Sequence, residues 1–225
     1  TLMLGGMAGA SFAQDAQDET KPLYAVKSMA DLTATSVKDQ CRTGTCWSFS
    51  TTSFLESEAA RLTGQVVDLS EMASVRHTYP LKAEMYLRHH GLHQFGPGSL
   101  CHDVLNAAAD YGLVPEFAYS GLDAGEKEFN HGELDAVLAA AVKAMSEQKV
   151  LSDDWRDAVE GICDAYLGKL PSSFQFDGQT YTPESFRDAL GIKPSAYISL
   201  TSFTHHEFGE TFVLEVPDNF SRGQY

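Results

Sequence analysis

The chain has 225 residues, 43% of them hydrophobic and 11% aromatic, the composition of a folded protein and not of a disordered or collagen-like segment. Its formal charge is −15, from 31 acidic residues against 16 Lys and Arg, which argues against nucleic acid and anionic membrane surfaces as partners. Length alone admits one large domain or two small ones.

The run from Leu2 to Ala13 is apolar or small and too short to span a bilayer. Ser11-Phe12-Ala13 before Gln14 fits a signal-peptidase cut, and the run before it fits an h-region. Residues 1–13 therefore read as a signal-peptide remnant, and the protein as exported, either periplasmic or secreted. With no starting Met and no basic n-region, a clipped N-terminus is expected. Residues 14–125 form the predicted helical domain. Residues 126–225 read as a helical insertion followed by the first strands of a second domain.

The stretch 24–37 is mixed and extended, and Lys38 to Gly44 is polar and reads as a loop. A helix is predicted over 46–63, with Thr45 as its cap and Trp47, Phe54, Leu55, Ala59 and Leu62 near helical spacing. Gly64 stops it. Three more helices are predicted over 99–111, 133–150 and 153–167. Thr182-Pro183-Glu184 opens a short helix that closes at Gly191. Stretches 196–200 and 211–216 read as strands. Helices followed by strands make the fold class α+β.

The chemistry gathers at Cys46. A cysteine attacks as thiolate, and a helix N-terminus stabilises that anion. Gln40, six residues upstream on the approach loop, offers a side-chain amide that, beside the Cys46 N–H, can hold a developing oxyanion. Gly44 lets the loop pass close to a bound substrate backbone. The bland alternative for Cys46 is a buried thiol. Cys163, on the apolar stripe beside Ile162 and Tyr166, reads as core. Cys41 and Cys101 are candidates for a bridge between the loop and the following helix.

Gln40-Cys41-Arg42-Thr43-Gly44-Thr45-Cys46-Trp47-Ser48-Phe49-Ser50 resembles the nucleophile motif of the papain-like cysteine peptidases. Asp68-Leu69-Ser70-Glu71 resembles the acidic turn after their central helix. Gly98-Ser99 resembles their glycine pair, and Asp110-Tyr111-Gly112-Leu113-Val114-Pro115 the helix end that follows it. Pro171-Ser172-Ser173-Phe174, Tyr181-Thr182-Pro183, Phe186 and Tyr197-Ile198-Ser199-Leu200 are similar to the bleomycin hydrolase and aminopeptidase C branch.

The resemblance implies a papain-like fold and proteolysis through a Cys46 thioester acyl-enzyme, with peptides as substrates. It implies Gly44, Gly98 and Ser99 at the substrate cleft, aminopeptidase behaviour and a homo-hexamer; the chemistry needs no metal or organic cofactor. Thr43 stands where the family carries a disulfide cysteine, and Ser99 where it carries the second glycine. The branch is usually cytoplasmic, which the export reading does not match. The catalytic His and Asn of this family lie roughly 130–150 residues downstream of the nucleophile, a window without a histidine here. His205 and His206 follow it in a different context, and a solvated turn is their alternative. The reading is thus of an N-terminal portion whose His and Asn lie beyond Tyr225, inactive by itself.

Two rival readings belong to other classes. One is a non-catalytic papain-like module that binds peptides. The other is a metal site at His89-His90-Gly91-Leu92-His93 with His102, against which Gly91 breaks the helical spacing.

Overall fold

The chain divides into two compact units, Thr1–Asp31 and Leu32–Tyr225. The computed structural model describes residues 27–29, 32–122, 126–202 and 204–213. The expected signal-peptide remnant at 1–13 lies outside the described residues. All elements below belong to the second unit.

Helix α1 runs Cys46–Thr63 and ends where Gly64 turns left-handed at φ 73°, the conformation for which glycine carries no Cβ penalty. Helix α2, Glu71–Arg88, is capped by Ser70, whose side chain accepts from the Ala73 N–H. Helices α3 (Cys101–Tyr111), α4 (Gly132–Ser146) and α5 (Trp155–Leu167) follow. A hairpin comes next, β1 Phe174–Phe176 antiparallel to β2 Gln179–Tyr181, with Phe174 opposite Tyr181. Helix α6, Pro183–Ala189, opens with a capping box between Thr182 and Ser185.

Helix α2 is the central element. It packs against α1, α3, α4 and α5, and it buries Met72, Val75, Tyr79, Pro80 and Ala83 along with the polar Arg76, Thr78 and Lys82. Enclosure on several sides explains why it lacks a single apolar stripe and escapes the sequence periodicity. Pro80 in its interior hides it further, since proline removes a helical N–H. Two of its side chains pair with neighbouring helices, while Thr78 donates to the Ser74 carbonyl within α2. Arg76 pairs with Asp164 and Glu160 of α5, and Tyr79 donates to Asp135 of α4 at 2.6 Å.

Two expectations give way here. Stretch 196–200 is not a strand: Pro194–Ala196 forms a 3-10 turn, and Ile198 and Leu200 are 81% and 87% exposed. No neighbouring strand is present among the described residues to accept its backbone groups. Residues 211–213 show an isolated bridge and no strand, and the rest of the second predicted strand lies outside the described residues.

The sheet that does form was missed. Asp177 (φ 47°) and Gly178 (φ 77°) make a two-residue turn with both φ positive, and Asp-Gly between apolar-alternating flanks is the standard signal for it. Phe174, Phe176 and Tyr181 then pack around Phe186 of α6, with ring centroids 5.0–5.5 Å away.

Among the described residues, no helix is long and apolar enough to cross a membrane.

Candidate active site

The first residue of α1 is Cys46, exposed and in no disulfide. Among the described residues neither its thiol nor its backbone N–H has a hydrogen-bond partner, as expected for the first turn of a helix. An 18-residue helix therefore presents its positive end at this sulfur. The next residues anchor the helix. Trp47 is buried and donates from Nε1 to the Pro97 carbonyl at 3.0 Å, and Ser48 Oγ donates to the Glu71 carbonyl at 2.8 Å. Cys46 is thus exposed because its two neighbours are fixed inward, which excludes the buried-thiol alternative.

The approach loop is closed by its own side chains. Gln40 Nε2 donates to the Thr43 carbonyl at 2.7 Å, and Thr43 Oγ1 donates back to the Gln40 carbonyl at 2.9 Å. A primary amide carries two hydrogens, so this turn uses one and fixes the direction of the other. Thr45 precedes the helix but does not cap it: its side chain accepts no helix N–H and instead shares a hydrogen bond with Thr43 Oγ1 at 2.6 Å. On the far side, Arg42 exchanges backbone hydrogen bonds with Phe129 and His131, tying the loop to the segment before α4.

Lys38 secures the start of this loop. Its ammonium lies 2.9 Å from Glu56 of α1 and 2.9 Å from Glu71 of α2, and it also pairs with Asp68. The Glu56 and Glu71 side chains are 0% and 3% exposed, so Lys38 is the cation that balances two buried carboxylates. Burial opposes the charge on Lys38, but its bonds to Asp68, Glu56 and Glu71 outweigh it and hold the amine above its ordinary value. Burial raises the Glu71 carboxyl, with Lys38 working against it. Nearby, burial and then the charges of Glu71 and Asp68 push the Glu116 carboxyl up to about 8. Sequence reasoning passed over Lys38, because nothing in a lysine of a polar loop signals a buried hub.

Gly44 has a packing reason to be glycine. A Cβ there would sit 2.6 Å from Pro97 Cγ and 2.9 Å from Pro97 Cβ, closer than nonbonded carbons approach. The loop therefore touches the strap Gly96–Gly98. Gly98 and Ser99 lie at the end of that strap, and Ser99 Oγ donates to the Asp103 carboxylate in the first turn of α3. That bond turns the Ser99 hydroxyl back into the fold. The structure thus brings Gln40, Gly44 and the strap Gly96–Gly98 to the loop and helix start that carry Cys46, with the Ser99 side chain turned to α3.

Other predicted residues fall elsewhere. Cys163 is fully buried on α5, with its thiol pushed up to about 12 by that burial, which suits an inert core cysteine. Cys41 and Cys101 are both free thiols. The histidine run ends α2: His89 is its C-cap, His90 and Gly91 turn left-handed, and the rings of His89 and His93 stack at 3.7 Å. Among the described residues no group of three or more His, Cys, Asp or Glu is placed to hold a metal ion.

Residues 26–78, which contain the whole loop and α1, match the family model described as papain family cysteine protease. The structure superposes on the crystal structure of PepW from Lactobacillus rhamnosis HN001 (DR20), determined as the selenomethionine derivative, with a TM-score of 0.57 at 16% identity.

The fold is papain-like.

That superposition covers 75% of this chain and 46% of the PepW chain, so the chain spans under half the length of the solved structure it resembles. No curated protein matches the chain in sequence. Among the described residues the papain-like part is the helical one, with the cysteine-bearing helix α1 packed on α2 and α3 and a two-stranded sheet added.

Proposed function

We propose that this protein is a cysteine peptidase in which Cys46 attacks the carbonyl of a peptide bond. Gln40 and the Cys46 N–H stabilise the oxyanion of the tetrahedral intermediate. The intermediate collapses to a thioester with release of the amine, and water then hydrolyses the thioester. Of the similarities that support it, one observation carries the reading. An exposed thiol sits at the first residue of a long helix, and the turn before it is closed through the Gln40 amide.

The proton acceptor in this reading is a His oriented by an Asn. The motifs at 171–186 and 197–200 favour the aminopeptidase and bleomycin hydrolase kind of peptidase, with peptides as substrates and a homo-hexameric assembly, while the apolar run before Gln14 favours action outside the cytoplasm.

The test is labelling of Cys46, read by mass spectrometry. A peptidyl epoxide and iodoacetamide are compared on the protein and on free cysteine at neutral pH. The reading expects Cys46 to react with the peptidyl reagent well above the free-thiol rate, and Cys46→Ser to abolish labelling at that position. Equal rates on protein and free cysteine would rule out an activated nucleophile and leave a peptide-binding module.

A further inference from the structure

We propose that Lys82 is a positioning residue that sets the strap Gly96–Gly98 against the nucleophile loop, and so aligns a peptide bound beside Cys46; the inference rests on the peptidase reading above.

Lys82 projects from α2 and is 4% exposed. Its ammonium donates to the carbonyls of Gly96 and Gly98, the latter at 2.7 Å, and lies 5.8 Å and 5.9 Å from the ring centroids of Tyr79 and Phe95. Among the described residues it forms no ion pair with a carboxylate. Asp103 and Asp135 favour its charge from a distance, and burial, the larger influence, lowers the amine to about 8. Burying an ammonium without a contacting carboxylate is costly, and an apolar side chain of the same length would fill that space without the cost. What Lys82 provides is control of the strap.

Three consecutive carbonyls are held. Gly96 O and Gly98 O are bound by Lys82, and Pro97 O between them by Trp47 Nε1 of α1 at 3.0 Å. The strap is therefore pinned to α1 and α2 at once. Its middle residue is the one packed on Gly44, two residues before the nucleophile. Releasing the Lys82 bonds frees both ends of the strap while Trp47 still holds its centre. The Cys46 helix start keeps its own anchors, Ser48 on the Glu71 carbonyl and the Gln40–Thr43 turn. A defect at Lys82 should thus reach substrate alignment and spare the intrinsic reactivity of the thiol.

The experiment compares the full chain carrying Lys82, Lys82→Met and Lys82→Gln, with folding checked by circular dichroism. Peptidyl epoxide and iodoacetamide rates at Cys46 are measured for each. We expect Lys82→Met to slow the peptidyl reagent by about tenfold and leave iodoacetamide within about twofold. Lys82→Gln keeps N–H donors and should recover part of the loss. A parallel fall with both reagents marks a structural role and overturns the inference, as does an unchanged preference in Lys82→Met. Where Lys82→Met does not fold, Lys82→Gln decides by the same ratio: a selective loss supports the role and a wild-type ratio refutes it. If wild-type Cys46 shows no preference for the peptidyl reagent, the peptidase reading itself falls and this inference with it. A wild-type preference that survives at Lys82→Met removes the Lys82 role alone.

Discussion

Replacing Lys38 by methionine removes one cation from between two buried carboxylates, and the size of the effect follows from the alternative the protein has. Glu56 and Glu71 are 0% and 3% exposed in their side chains. Left ionised without Lys38, each would face the several-kcal/mol penalty of an uncompensated buried charge. The protein escapes by protonating one of them. For a carboxyl of ordinary value 4.5, that costs about 3.4 kcal/mol at pH 7 and about 0.7 kcal/mol at pH 5, from ~1.36 kcal/mol per pH unit. The other carboxylate keeps a partner, since Glu56 accepts from the Leu69 N–H at 2.8 Å. Urea unfolding of the wild type and Lys38→Met at pH 5 and pH 7 measures this. The destabilisation should be about 3 kcal/mol at pH 7 and about 1 kcal/mol at pH 5. A loss below about 1 kcal/mol at pH 7, or one equal at both pH values, would refute the assignment of Lys38 as the counter-charge.

Glu116 gives the opposite experiment. Its carboxyl, raised from 4.5 to about 8, contributes stability below pH 4.5 that is lost as pH rises through 8. The nominal span is about 5 kcal/mol, and partial solvent access reduces the expectation to about 1–2 kcal/mol. Glu116→Gln should melt higher than the wild type at pH 9 and no higher at pH 5; a constant offset would contradict this. His77 titrates on the acid side. Burial, then the charge of Arg76, lowers it to about 4, so its stabilising contribution is present above pH 6.5 and is lost as pH falls through 4. His77→Phe keeps the stack on Tyr111, whose ring lies 3.9 Å away, and should flatten the acid limb of the melting profile between pH 6 and 4. Gly44→Ala places a Cβ against Pro97 and should cost about 1–3 kcal/mol, together with a selective loss of peptidyl labelling at Cys46. In native protein at pH 7.5, iodoacetamide should modify Cys46 and Cys101, both exposed, and reach Cys163 only after unfolding.

The parts of the fold legible in the sequence are those fixed by local chemistry. Gly64 ends α1 because only its αL conformation closes the last turn, and Thr182-Pro183 opens α6 through a capping box. Cys46 was legible because the residues around it are constrained in type: a tryptophan with a buried ring, a glycine against proline, a glutamine in a turn. Helix α2 was illegible for a tertiary reason. Arg76, Thr78 and Lys82 are buried in it, and their partners lie on α5, within α2 itself and on the strap, so its polarity pattern makes sense only with the neighbours in place. The apolar run at 196–200 misled for the converse reason: strand residues need a pairing edge, and hydrophobicity does not supply one. The hairpin at Asp177-Gly178 is legible in the sequence, because an Asp-Gly pair between alternating apolar flanks favours the turn with both φ positive.

These observations bear on how the candidate site is held at the start of α1. Cys46 itself is free, yet each segment next to it is tied to a different element. Lys38 ties the loop entry to α1 and α2, Arg42 ties its middle to the segment before α4, and Trp47 and Lys82 tie the strap to α1 and α2. Oxyanion stabilisation depends on donors fixed before the charge develops. The Gln40 amide meets that condition because one of its hydrogens is already spent closing the turn at Thr43. Substituting Gln40 by glutamate would test this separation of roles. A glutamate cannot donate to the Thr43 carbonyl, so one of the two bonds closing the turn and the oxyanion donor are lost together. Valine in place of Thr43, Thr43→Val, removes only the return bond to the Gln40 carbonyl and the bond to Thr45. If preorganisation is what the turn supplies, Thr43→Val should lower peptidyl labelling by less than Gln40→Glu does, and equal losses would mean that the turn, and not the amide, is what Cys46 requires.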